Sequence, residues 1–216
     1  MWQVRKIIRT FRPDVGVGVG GYASGAAMKV AAKMGVPILL QEQNGFAGLT
    51  NKILGKKADC ICVAYDGMER FFPAEKIVFT GNPIRKEIVP ATTQMKAEAY
   101  EYYGLDPQKK QLFIVGGSLG SGTLNNAMKK WITEGCPGGE NMQIIWQCGK
   151  YYKPSVDAFM KEAAEKGLGG ETLSHITHSD FIKRMDLAYA AADVVISRSG
   201  ASSISELCAA HKAAIF

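Results

Sequence analysis

The chain has 216 residues, 47% of them hydrophobic and 21% charged, with a formal net charge of +6. That length suits one or two domains with a full core, and the composition is ordinary for a globular protein. No apolar run reaches the roughly 20 residues a spanning helix needs, and the positive charge suits an anionic partner: nucleotide diphosphate, acidic lipid or nucleic acid.

Nucleic acid is the weakest of these, because no block of Lys and Arg and no nucleic-acid module is present. No charged-then-apolar leader opens the chain, so export is not expected. The five cysteines, Cys60, Cys62, Cys136, Cys148 and Cys208, are odd in number and show no C-x-x-C spacing. They read as buried reduced thiols of a cytoplasmic protein rather than as a disulfide framework or metal site. With only three histidines, a protein-held zinc is not expected.

In chain order, Val4, Ile7, Ile8 and Phe11 sit at helical spacing and predict an opening amphipathic helix. Val15 to Val19 reads as a short strand, and Ser24 as the cap of a helix running to about Met34. Pro37 to Leu40 is a buried strand, Leu49 to Lys56 a short helix and Asp59 to Ala64 a strand. Asp66 is expected to start another helix before a strand at Ile77 to Thr80. Thr93 to Tyr103 is a polar helix. The pattern then restarts with a strand at Leu112 to Val115, a glycine loop, and a helix at Leu124 to Trp131. Strands follow at Ile144 to Gln147, His175 to Thr177, Val194 to Ser197 and Ala213 to Phe216. Helices at Ser155 to Lys166, Asp186 to Ala191 and Ser203 to Ala210 lie between them.

This alternation predicts an α/β protein with parallel sheets covered by helices on both faces. A glycine loop directly after a strand occurs twice, at Gly20 and Gly116. Two Rossmann-like, doubly wound domains facing a cleft are therefore expected, joined near Pro83 to Pro90. An opening helix without a preceding strand, and a closing strand without a covering helix, lead us to expect an internal fragment with both domains truncated.

Four segments carry candidate chemistry. Gly116 to Gly122 follows a strand and opens a helix, so its N–H groups and the helix dipole can hold a phosphate, with Ser118 and Ser121 as further donors. The other reading is a tight turn that needs positive φ. Ser197 to Glu206 is a second strand-to-helix anion site. There Glu206 could hold both hydroxyls of a ribose, or close a capping box with Ser203. Gly20, Gly21, Tyr22 and Ser24 form a third loop. Gln41 to Gly45 lies past a strand's carboxyl end, where parallel sheets bind ligands. It could read sugar hydroxyls or be a plain polar turn.

Several runs occur together and in order: Gly20 to Gly25, Glu42 to Asn51, Gly81-Asn82-Pro83-Ile84-Arg85, Gly116 to Gly120, and Arg198 to Ala201. In these the chain resembles, over essentially its whole length, the MurG family of N-acetylglucosaminyltransferases. The resemblance implies the GT-B fold, with residues 1–84 belonging to an acceptor and membrane-associated domain and 85–216 to a donor-binding domain. It implies inverting transfer of N-acetylglucosamine from UDP-N-acetylglucosamine to lipid I, the undecaprenyl-pyrophosphoryl-N-acetylmuramoyl-pentapeptide. The product is lipid II for peptidoglycan, on which cell shape and division depend.

By position, Ser118 would contact the diphosphate and Ile182 would meet the uracil edge through its backbone. Ala201, Ser202, Ser203, Ile204 and Ser205 would form the phosphate-binding helix start. Glu206 would hold the ribose and Arg85 would border the uracil pocket. Asn44 and Glu42, with Gly20, Gly21, Tyr22 and Ser24, would face the acceptor. No base is assigned, and no cofactor or metal is implied. Gln41 stands where the family has His, Ala26 where it has Pro, and His211 and Ala213 replace Gly and Pro.

The expected partners are the two substrates, an anionic membrane surface, and cell-wall synthesis and division proteins. The expected location is peripheral, on the cytoplasmic face of the bacterial inner membrane. The alternatives are an inactive nucleotide-sugar-binding fragment and a related UDP-sugar epimerase. The chain by itself is expected not to catalyse transfer.

Overall fold

The computed structural model describes residues 2–216. They form two compact units, one running to Pro83 and the other starting at Ile84.

In the first unit, α1 (Trp2–Phe11) precedes β1 (Gly16–Gly18), α2 (Tyr22–Lys33), β2 (Ile38–Glu42), α3 (Leu49–Gly55), β3 (Cys60–Val63) and β4 (Ile77–Phe79). The four strands are parallel and ordered β1-β2-β3-β4. Ile38, Leu40, Ile61 and Val63 point to one face, where Ala31 of α2 and Leu54 of α3 complete a core. Alternate residues on the opposite face, Val17 and Val78, are exposed.

Two local expectations fail here, and a third element is found where it was expected. Helix α2 starts at Tyr22 after Gly21, with no side-chain cap, because Ser24 already lies within its first turn. The Ser24 hydroxyl is buried and has no hydrogen-bond partner. No α-helix forms between Asp66 and β4; Gly67 takes a left-handed conformation and two short 3-10 turns form, at Met68–Arg70 and Ala74–Lys76. In α1 only Ile8 of the apolar stripe packs on the core, while Trp2, Ile7 and Phe11 are exposed.

In the second unit, α4 (Thr93–Tyr103) leads to β5 (Lys110–Val115), α5 (Gly122–Thr133), β6 (Met142–Gln147), α6 (Lys153–Glu165), β7 (Ile176–Ser179), α7 (Met185–Ala191), β8 (Val194–Ser197), α8 (Ala201–Ala209) and β9 (Ala213–Ile215). All five strands are parallel, in the order β7-β6-β5-β8-β9. The two faces bury separate cores. Phe113, Val115, Ile145 and Val195 pack with α4, α7 and α8; Ile114, Ile144 and Trp146 pack with α5 and α6.

The chain steps outward from β5 to β7 and then returns to lay β8 on the other side of β5. The order therefore reverses between β5 and β8. Loops leaving two such strands diverge to opposite faces and open a crevice at their carboxyl ends. Among the described residues no helix is long and apolar enough to cross a membrane.

Candidate functional site

At that reversal point lies a cavity of about 240 Å³, lined by Arg85, Val115, Gly117, Ser118, Gln147, Phe181, Ile182, Met185, Tyr189, Ser202, Ser203 and Glu206. Arg85, Ser118, Ile182, Ser202, Ser203 and Glu206 thus converge from four separate stretches of chain. Ala201, Ile204 and Ser205 share α8 with them but are not among the lining residues. The Ser205 hydroxyl donates to the Ala201 carbonyl at 3.0 Å, inside the helix. A second cavity of about 310 Å³ beneath α5 is walled by residues such as Leu112, Ile114, Met128 and Trp131. It offers almost no polar surface to orient a nucleotide.

Glu206 is the electrostatic centre of the first cavity and is buried. Its Oε1 accepts from Arg85 Nη1 at 3.0 Å, and its Oε2 from the Tyr189 hydroxyl at 3.2 Å. Burial, followed by the neighbouring carboxylate, pushes the Tyr189 hydroxyl well above the ordinary phenol range, so it remains a donor. The capping-box alternative is not adopted. Helix α8 is capped at Gly200, Ser203 lies inside its first turn, and the Glu206 carboxylate turns away to Arg85 and Tyr189.

The loop after β5 shows the tight-turn reading of its glycines. Gly120 has φ +81, and a methyl group there would stand 2.2 Å from the Cys148 carbonyl oxygen. Gly149, at φ +89, would meet the Gly120 Cα at 2.4 Å in the same way. The turn therefore has to be glycine, and it also delivers the start of α5 to the crevice. Ser121 is buried, caps α5 by accepting from Leu124 N at 3.4 Å, and is not among the residues lining the cavity. Ser118 stays exposed on the cavity wall.

Gln147 was not singled out by its sequence context. It is buried, accepts from Gly116 N at 3.1 Å and donates to the Asp180 carbonyl at 3.0 Å. One amide thereby ties the glycine loop to the segment carrying Phe181 and Ile182. A polar residue closing an apolar strand is the only sequence signal for it.

The first unit has its own cavity, of about 360 Å³, at the carboxyl ends of β1 and β2. Gly20, Gly21, Tyr22, Glu42 and Asn44 line it together with Gly48, Leu49, Thr50 and Asn51. Ser24 is not among the lining residues. Glu42 is buried, and both of its oxygens are engaged. Oε1 accepts from Asn44 N at 3.1 Å and Asn44 Nδ2 at 3.3 Å. Oε2 accepts from Gly48 N at 2.9 Å and Asn51 Nδ2 at 2.9 Å. These four hydrogen bonds tie the carboxylate to the 44–51 segment.

Asn51 is the residue sequence reasoning passed over here. It is buried and lines the cavity, and its Oδ1 has no partner among the described residues. Gln41 donates to the Gly81 carbonyl at 3.2 Å and is not among the lining residues. No histidine lines either cavity. His178 pairs with Asp157 at 2.8 Å and His175 lies 2.9 Å from the Lys109 ammonium.

Residues 1–63 match the glycosyltransferase family 28 N-terminal domain, and residues 111–216 the family's C-terminal domain. A UDP-N-acetylglucosamine–N-acetylmuramyl-(pentapeptide) pyrophosphoryl-undecaprenol N-acetylglucosamine transferase of Bacteroides thetaiotaomicron is 51% identical over 211 residues, covering 98% of this chain and 54% of that protein. The transferase of the same name from Flavobacterium psychrophilum is 46% identical over 213 residues, covering 97% and 53%. The chain spans about half the length of the curated relatives it matches. Among solved structures, Acinetobacter baumannii MurG superposes with a TM-score of 0.64 at 27% identity, covering 100% of this chain and 55% of that one. Staphylococcus aureus MnaA, solved with UDP, gives 0.65 at 17% identity over 99% of this chain and 59% of its own, a likeness of fold alone. The parallel-sheet units are those of the GT-B class.

Proposed function

Since this chain belongs to glycosyltransferase family 28, we propose that its protein transfers N-acetylglucosamine from UDP-N-acetylglucosamine to lipid I, forming lipid II for peptidoglycan. The observation that carries the reading is the convergence of Arg85, Ser118 and Glu206 on one cavity at the strand-order reversal.

In this reading residues 85–216 hold the donor. Glu206, an acceptor-only carboxylate, takes the ribose hydroxyls as Arg85 yields Oε1 and turns toward the nucleotide. Ile182 offers its backbone to the uracil edge. Ser118 and the start of α8, Ala201 to Ser205, face the diphosphate. The acceptor hydroxyl attacks the anomeric carbon, the carbon–oxygen bond to UDP breaks, and configuration inverts. Charge developing on the leaving diphosphate is met by fixed N–H groups and helix dipoles. No cofactor is invoked.

Residues 1–84 form the acceptor side, with Asn44 and the Gly20, Gly21 and Tyr22 loop against the lipid I headgroup and Glu42 setting their positions. Helix α1 exposes Trp2, Ile7 and Phe11 beside Arg5, Lys6, Arg9 and Arg12. This combination suits peripheral attachment to an anionic leaflet on the cytoplasmic side, near the proteins of wall synthesis and division.

The deciding experiment incubates the protein carrying this chain with radiolabelled UDP-N-acetylglucosamine and a lipid I analogue. Label should pass to the lipid only when both are present. Conversion of the free sugar nucleotide to its 2-epimer without acceptor would instead make the protein an epimerase.

A further inference from the structure

On the first unit a second concavity, of about 340 Å³, runs between α2 and α3, walled by Tyr22, Ala26, Leu49 and Ile53 with Lys29 at its side. It adjoins the acceptor-side cavity directly, for Tyr22, Leu49 and Thr50 line both. Its floor is close-packed. A methyl group at Gly25 would stand 2.9 Å from Thr50 Cγ2, and the Thr50 hydroxyl donates to the Gly21 carbonyl at 3.3 Å. The walls are apolar yet open to solvent: Tyr22, Leu49 and Ile53 are 99%, 74% and 60% exposed. Apolar side chains clustered at such exposure leave a standing hydrophobic free energy for an apolar guest to recover.

We propose that this groove seats the first isoprene units of the acceptor's polyprenyl chain. The inference rests on the acceptor reading above and adds to it the subsite for the tail. The chemistry favours this occupant. A pyrophosphoryl-undecaprenol, the acceptor named for the curated relatives, carries charge and hydrocarbon on adjacent atoms. A site that holds its diphosphate must let an apolar chain leave at once. The polar cavity has such an exit, and the residues they share are the junction. Tyr22 has the amphipathic build for that junction, a ring for the chain and a hydroxyl for the headgroup. Lys29 lies at the rim, where its stem can flank hydrocarbon while its ammonium stays in water.

The test uses farnesyl diphosphate carrying a diazirine on its terminal isoprene, irradiated with the 216-residue chain and mapped by mass spectrometry. Adducts are expected on Tyr22, Leu49 and Ile53, competed by inorganic pyrophosphate. The double substitution of Leu49→Gln and Ile53→Asn should reduce them at least tenfold. Both side chains are exposed, so folding should persist, and an unchanged circular dichroism spectrum checks this. Adducts on α1 at Trp2, Ile7 or Phe11, or labelling that survives the double substitution, would overturn the groove and leave the headgroup cavity standing. Groove labelling that pyrophosphate fails to compete would support the groove and sink the headgroup reading.

Discussion

The guanidinium Nη1 of Arg85 lies 3.0 Å from Oε1 of Glu206, which stands 121 residues further along the chain. The pair joins the first residues of the second unit to α8, and it occupies an oxygen that a ribose would need. Because Arg85 is half exposed, water screens the attraction and the pair can exchange cheaply for a ligand.

On the proposed function, UDP affinity should depend on Glu206. Replacement Glu206→Ala removes an acceptor to charged-group hydrogen bonds worth about 1.5–3 kcal/mol, so binding should weaken roughly ten- to a hundredfold. Isothermal calorimetry with UDP on the second unit's site checks this. Unchanged affinity would remove Glu206 from the ribose contact.

Tyr189 acts through Glu206. In Tyr189→Phe the ring and its edge-on contact with Phe113, centroids 5.7 Å apart, remain, but Oε2 loses its donor. The expected outcome is a stability loss of about 1–3 kcal/mol in urea unfolding and a weaker affinity for UDP. A variant with full affinity would show that the Arg85 contact alone orients the carboxylate.

Glu42→Gln tests the acceptor side. An amide nitrogen replaces one carboxylate oxygen and turns a donor toward donors already present at Asn44, Gly48 and Asn51. One of these loses its partner, at a cost of about 1–3 kcal/mol. Faster amide hydrogen exchange should appear at Asn44 and Gly48 in the first unit, with the second unit unchanged. Protection equal to the parent's would mean the segment is held by other contacts.

Asp186 carries a pH signature. Hydrogen bonds from Arg184 hold its carboxyl below the usual carboxylate range. A depressed carboxylate stabilises the fold above its unfolded pKa of about 3.9 and loses that contribution as pH falls through its folded value. Asp186→Asn should therefore lower the melting temperature at pH 7, and the gap from the parent should close toward pH 3. A gap that stays constant across that range would contradict the ion-pair account.

Membrane attachment is read from α1. Charge reversal at Arg5 and Arg9 removes attraction worth about 1 kcal/mol per residue near an anionic surface. Reversal should also replace that attraction with repulsion. Co-sedimentation with liposomes of anionic phospholipid should fall severalfold, and high salt should mimic the effect in the parent. Binding indifferent to both would assign attachment to another surface.

The strand and helix order is legible from sequence because each segment's signal is local. Thr92 caps α4 by accepting from Met95 N at 3.1 Å, and Gly104 stops it at φ 64; both signals sit at the ends they control. Ser24 fails as a cap because Gly21, three positions earlier, already caps the helix. The roles of Glu206 and Glu42 are less legible. The Ser203 and Glu206 spacing carries a local capping signal, but partners from Arg85 and Tyr189 win because they satisfy a buried charge. Asn51 and Gln147 are missed for a similar reason. Each is one polar side chain among apolar neighbours, and only the folded sheet shows what it ties together.

The mutual contact of Gly120 and Gly149 limits how this site can be redesigned. Each would-be methyl group meets main chain rather than a movable side chain, so a change at one cannot be rescued by shrinking the other. The loop after β5, which brings Gly117 and Ser118 to the cavity wall, is in that sense frozen hardware. Changes in nucleotide or sugar preference have to be sought where side chains alone form the wall, at Phe181, Met185 and Ser202. A library that leaves the two glycines untouched and randomises those three positions should keep a far larger folded fraction than one that spans the loop.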